Sequence, residues 1–203
     1  MIVSGSRAPS RFLAALALVL CGFVPVADAV AGEPHELVSA VIARVMSRLG
    51  EFTDEQAQNG AVNRVFEEEL SPHLAFGTIA RWLSGPRWAT FSDADREELT
   101  AVIHDHIVQV YSSLLAYGRD VTIEVEPHST RHKSAAKVAA VLTTPDKRSF
   151  DVEFRLLESP QGWMLYDLVA DGVSFARTMQ AELGPVITAD GVPGVRAYLA
   201  RTR

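Results

Sequence analysis

Between Leu114 and Glu126 the chain reads Leu114-Leu115-Ala116-Tyr117-Gly118-Arg119-Asp120-Val121-Thr122-Ile123-Glu124-Val125-Glu126, and the hydrophobic period changes at its glycine. Ahead of Gly118 the apolar residues fall at Leu99, Val102, Ile103, Ile107, Val110, Leu114 and Tyr117, which is the spacing of a helix with one apolar face. Behind it Val121, Ile123 and Val125 alternate with Thr122, Glu124 and Glu126, which is the spacing of a strand with one face covered. A chain that passes from helices to strands at one point, instead of alternating them, builds an α+β domain.

Working back from that point, Ser92-Asp93 predicts the cap of the long helix, with Asp95, Glu97 and Glu98 complementing the macrodipole in its first turns. Three shorter helices are predicted before it. The first carries Leu37, Val38, Val41, Ile42, Val45, Met46 and Leu49 and ends at Gly50. The second carries Val62, Val65, Phe66 and Leu70, with Glu67–Glu69 solvated. The third restarts at Ser71-Pro72, carries Leu74, Ile79, Ala80 and Leu83, and stops at Gly85-Pro86. Working forward, Val138 to Leu142, Phe150 to Leu156 and Trp163 to Ala170 follow the first strand, with a Pro145-Asp146 turn among them. Four strands joined by short turns predict an antiparallel meander. Ser174 fits the cap of a last helical region, predicted to break at Gly184-Pro185 and at Gly191–Gly194 before Tyr198-Leu199.

The 203 residues fit one ordinary domain plus a processed segment. With 48% hydrophobic and 22% charged residues the chain has material for a core and is no disordered polyelectrolyte. A net charge of −6 argues against nucleic acid and against anionic membrane surfaces as partners. Arg7 and Arg11, the apolar run Phe12–Val24 and the small-x-small Ala27-Asp28-Ala29 form a secretory signal, so the expected organisation is a leader of residues 1–29 and a domain of residues 30–203. The sole cysteine, Cys21, follows the bulky Leu20, where lipoprotein acylation needs a small residue. Cleavage near Ala29 leaves a chain without cysteine, suited to an oxidising compartment.

No phosphate-binding loop, dinucleotide fingerprint, HExxH or GxSxG occurs. His104 and His106 stand two apart on a helix, about 200° around its axis, and so cannot share a metal. His128 and His132 are expected in a solvated hairpin loop. No metal and no cofactor is implied. What remains is a sheet and amphipathic helices able to enclose an apolar pocket. Phe150, Val152, Phe154 and Leu156 share one sheet face, which the long helix is expected to cover; Tyr166 is expected beside them with Met164 and Leu168 on its side.

Three segments carry a resemblance. Phe76-Gly77-Thr78-Ile79-Ala80-Arg81-Trp82-Leu83-Ser84-Gly85 resembles the F-x-x-I-A-R-x-x-L-G segment of the MlaC/toluene-tolerance family of periplasmic phospholipid carriers, and Trp88 matches a tryptophan that follows it. The helix with Leu99, Ile103, Tyr111, Leu115 and Tyr117 is similar to a stretch ending in Y-x-x-x-L-x-x-Y. Trp163 to Ser174 (WMLYDLVADGVS) resembles the family's W-K-V-Y-D-V-x-V-E-G-V-S. Ala89 replaces a basic residue usual in the family, and Gln180 and Leu183 replace an arginine and a phenylalanine.

The resemblance implies an NTF2-like cone of helices on a four-stranded antiparallel sheet, with acyl chains in the pocket and the headgroup outside. It implies a periplasmic carrier without enzymatic activity. The implied partners are an inner-membrane ABC transporter with an MCE-domain component and an outer-membrane lipoprotein complex. The residues expected to line the lipid are Phe76, Ile79, Ile103, Ile107, Val110, Tyr111, Val152, Phe154, Leu156, Tyr166 and Leu168. A branch associated with hopanoids shares these signatures, so phospholipid and hopanoid both stay open. Two other classes stay open beside the carrier: a small pocket enzyme using Asp167, Tyr166 or Tyr111, and an adaptor with a solid core.

Overall fold

The computed structural model describes residues 32–53 and 60–202, apart from the side chain of Tyr117. The expected leader and Cys21 lie outside the described residues. Helix α1 (Pro34–Gly50) starts on a proline, whose missing N–H would be unpaired in a first turn anyway, and buries Val38, Val41, Val45 and Leu49. Helix α2 (Ala61–Val65) is shorter than its spacing predicts, because Phe66–Leu70 continues it as a π turn and Ser71–His73 as a 3-10 turn. Leu74 does not join the next helix. It makes a parallel bridge to Leu165, with the Ala75 N–H donating to the Leu165 carbonyl at 2.8 Å.

Helix α3 (Phe76–Ser84) passes through a 3-10 stretch, Gly85–Thr90, to the long helix α4 (Asp93–Tyr117). The predicted cap of α4 is a full capping box: the Asp95 N–H donates to Ser92 Oγ and the Ser92 N–H donates to Asp95 Oδ2, both at 3.1 Å. Strands β1 (Thr122–His132), β2 (Ala135–Thr143), β3 (Ser149–Ser159) and β4 (Gly162–Ala170) pair in order, all antiparallel. A two-residue β5 (Val173–Ser174) adds a fifth strand to the four expected. His128 and His132 therefore stand on β1, exposed, and not in a loop.

Helix α5 (Phe175–Arg201) corrects a second expectation. It runs through Gly184-Pro185 without a break, since Leu183 and Ile187 on either side are both fully buried in one cluster and hold the turn. The kink comes only at Gly191 (φ 62, ψ −153), a conformation essentially reserved for glycine. Gly191→Ala is expected to cost about 2 kcal/mol, lowering the melting temperature by about 4–8 °C in a thermal scan.

The core forms three clusters. The largest joins α3, α4 and α5 through Ile79, Leu83, Leu99, Ile103, Ile107 and Leu183. A second lies between α1 and α2, at Val41, Val45, Leu49, Val62 and Val65. In the third, Val38 of α1 meets Ala136, Val138, Leu156 and Trp163 of the sheet. So α1, and not α4, lies against β1 and β2, while α4 packs on α3 and α5. The physical reason is that α1 carries the stripe that faces the sheet, leaving α4 to close the helical layer. No described helix is long and apolar enough to cross a membrane.

Candidate functional site

The eleven residues expected to meet a ligand do not share one environment. Ile79, Ile103 and Ile107 are closed inside the helical cluster, Ile103 with no exposure at all. Leu156 is closed beneath α1. Val152 is buried on the same sheet face, and Phe154 and Leu168 are half-buried there. Phe76, Tyr111 and Tyr166 are half-buried against the helical cluster, and Val110 is exposed.

A bulge explains Tyr166. Arg155 pairs with Asp167 and Leu156 with Leu165, so Tyr166 is an extra residue opposite no partner. Met164 pairs with Leu157 and Leu168 with Phe154, which puts those two on opposite faces of the sheet and not together beside Tyr166. The inner face, on which α1 packs, carries Val138, Ala140, Val152, Phe154, Leu156 and Leu168 by register.

The apolar stripe of α4 shows where packing stops. Ile103, Ile107, Val110, Tyr111 and Leu114 lie within about 100° of one another around a helix of 3.6 residues per turn. The first two are sealed, yet Val110 is 41% and Leu114 53% exposed. The stripe has not turned away; its partners have run out. Gly118 links α4 directly to the start of β1, so this open half of α4 lies at the sheet end formed by Thr122 of β1, Thr143 of β2 and Ser149 of β3. There the inner face presents Ile123, Leu142 and Phe150, all half-buried and in none of the three core clusters. Two apolar surfaces are thus left uncovered at the same end. Leu114 and Phe150 extend the expected set, and both stood on stripes legible in the sequence.

The polar groups nearby are occupied. Asp167, only 3% exposed at its side chain, accepts from Ser174 Oγ (2.7 Å, to Oδ2) and the Ala176 N–H (2.9 Å, to Oδ1) and pairs with Arg155 Nη1 (3.1 Å). Ser174 in turn accepts from the Arg177 N–H, the cap its position predicts. Both carboxylate oxygens are engaged in starting α5, so the enzymatic reading loses its acid. Burial, with the Asp167 and Glu182 carboxylates adding to it, pushes the Tyr111 phenol up to about 12, so it stays protonated. Its ring packs against Phe175, with centroids 5.3 Å apart. His104 bonds Glu67 and Asp105, each at 3.1 Å, and no group of three metal-ligating side chains converges among the described residues.

Two grooves lie elsewhere. One, of about 490 Å³, runs over Phe76, Trp88, Ala101 and His104 on the helical side. The other, of about 500 Å³, crosses the outer sheet face, where Lys137, Glu153, Arg155 and Asp167 form a chain of ion pairs.

A family model described as MlaC protein matches residues 39–201. Among solved structures the chain is similar to a phospholipid-binding protein from Ralstonia solanacearum, determined in complex with a phospholipid, with a TM-score of 0.72 and 17% sequence identity. The match covers 83% of this chain and 96% of that one. At that identity the likeness is one of fold: helices at both ends of an antiparallel sheet.

Proposed function

The chain belongs to the MlaC family of non-enzymatic lipid carriers, and from that premise we propose that it binds a phospholipid through its acyl chains and shuttles it across the periplasm. The observation that carries this reading is the α4 stripe left uncovered at Val110 and Leu114, next to the sheet end at which the inner-face residues Ile123, Leu142 and Phe150 are half-buried. An acyl chain laid there gives both surfaces the apolar partner they lack. The need is large: exposing a methylene to water costs about 0.8 kcal/mol, so a 16-carbon chain costs on the order of 12 kcal/mol unless it is covered. Such a task requires apolar wall and no catalytic group. Ile79, Ile103, Ile107 and Leu156 then serve as the solid backing of that wall.

The proposed route runs between an inner-membrane ABC transporter with an MCE-domain component and an outer-membrane lipoprotein complex. Docking at each must be weak enough for turnover. Export with removal of residues 1–29 would place the domain in that compartment. The test is mass spectrometry of organic extracts from protein purified out of the periplasm without detergent. Phospholipid near one molecule per chain is expected, and transfer of it to acceptor vesicles. Extracts containing only hopanoids would replace the ligand, and extracts free of any lipid would overturn the reading.

A further inference from the structure

Resting on that reading of the cleft, we propose that Arg148 is the anchor for the phosphodiester of the bound lipid's headgroup. The β2–β3 turn lies at the end of the sheet where the inner face is open. Arg148 is two residues ahead of Phe150, and its guanidinium lies over the Phe150 ring, 5.9 Å from the centroid. It therefore stands at the rim of the apolar surface, with its side chain 70% exposed to water. Its guanidinium has one charged partner in the turn. Nε donates to Asp146 Oδ2 at 2.8 Å, while the two Nη groups make no hydrogen bond among the described residues.

The turn itself is fixed around Thr144. The Thr144 N–H donates to the Arg148 carbonyl (2.9 Å), the Arg148 N–H donates to Thr144 Oγ1 (3.2 Å), and Thr144 Oγ1 donates to Asp146 Oδ1 (2.5 Å). Asp146 thus spends both oxygens inside the turn. With Lys147 and Arg148 against this one carboxylate, the turn is locally cationic on a chain of net charge −6. A guanidinium with a free fork, steadied by a carboxylate on its third nitrogen, suits a phosphodiester oxygen pair. At the rim of an apolar wall it selects an amphiphile whose charge sits where its chains begin.

The probes are two soluble short-chain lipids with the same tails, dihexanoylphosphatidylglycerol and dihexanoylglycerol, together with inorganic phosphate. The wild-type protein is expected to bind the phosphorylated lipid about tenfold tighter than the uncharged one, and phosphate alone not measurably. Arg148→Gln is expected to bring that ratio close to one, and Arg148→Lys to restore part of it. Salt titration of the wild type supplies a readout that no variant can spoil by misfolding: the ratio should shrink between low and high ionic strength. An Arg148→Gln ratio equal to wild type, a salt-independent ratio, or saturable binding of inorganic phosphate alone would each overturn the anchor. If both lipids bind equally to the wild type, the anchor falls and the apolar site stands; if neither binds, both fall.

Discussion

Replacing Asp167 with alanine is expected to remove about 3–5 kcal/mol of folding stability, a large share of the roughly 5–15 kcal/mol that holds an ordinary domain together. The carboxylate, on β4, ties together β3, β5 and the start of α5 through its bonds to Arg155, Ser174 and Ala176. Its loss strands three donors at once: the Ser174 hydroxyl, the Ala176 N–H and Arg155 Nη1. Ser174 and Ala176 are buried, so water cannot take the place of the missing acceptor without opening the start of the helix. The helix also loses a negative charge beside its N-terminus. Asp167→Asn should cost less, about 2 kcal/mol, because Oδ1 can still accept from Ala176 while the amide nitrogen opposes Arg155. Urea unfolding followed by circular dichroism reads the order wild type, Asn, Ala directly in the midpoints. An alanine variant within 1 kcal/mol of wild type would show that α5 starts without this carboxylate.

That network also shows what a single sequence can and cannot reveal. The capping roles of Ser92 and Ser174 were legible because a cap is local: a short polar side chain just ahead of an apolar stripe has few other uses. The strands were legible for the same reason, since Val152, Phe154 and Leu156 alternate with charged residues inside one short window. The role of Asp167 was not, because its partners lie 7 to 12 residues away and meet it only through the β3–β4 register. The bulge at Tyr166 shifts that register by one and reverses the side on which Met164 was expected, and nothing in Trp163–Ala170 marks it. The π turn at Phe66–Leu70 hides likewise in a run that reads as ordinary helix. Its three glutamates, expected to be solvated, reach back to Arg48 and Arg44 of α1 and across to His104 of α4. Which helix covers the sheet is a question of the same kind. Both α1 and α4 carry an apolar stripe, and composition does not choose between them.

The last consequence concerns that stripe on α4, where neighbouring residues of one face are expected to respond to the same substitution in opposite ways. Ile103→Asp places a carboxylate in the closed cluster with Leu99, Ile107, Leu183 and Ile187, where no donor awaits it. Ionised it is unpaired in an apolar interior, and protonated it still replaces a packed side chain by a polar one; either path costs several kcal/mol. The variant should show no cooperative unfolding transition and little recovery from the periplasm. Leu114 stands 11 residues on, on the same face, but 53% exposed. Leu114→Asp should therefore change stability by no more than about 1 kcal/mol, part of it from placing a negative charge near the helix C-terminus. The cost appears when lipid arrives, since only then is the new charge taken out of water. Co-purifying lipid should fall at least tenfold in Leu114→Asp, and in Val110→Asp with it, while both variants melt cooperatively. Should Ile103→Asp fold and melt near the wild-type temperature, the helical cluster would be the cavity itself and not its backing. Should the two exposed variants fold and still carry lipid at the wild-type stoichiometry, the acyl chains do not lie against this half of α4.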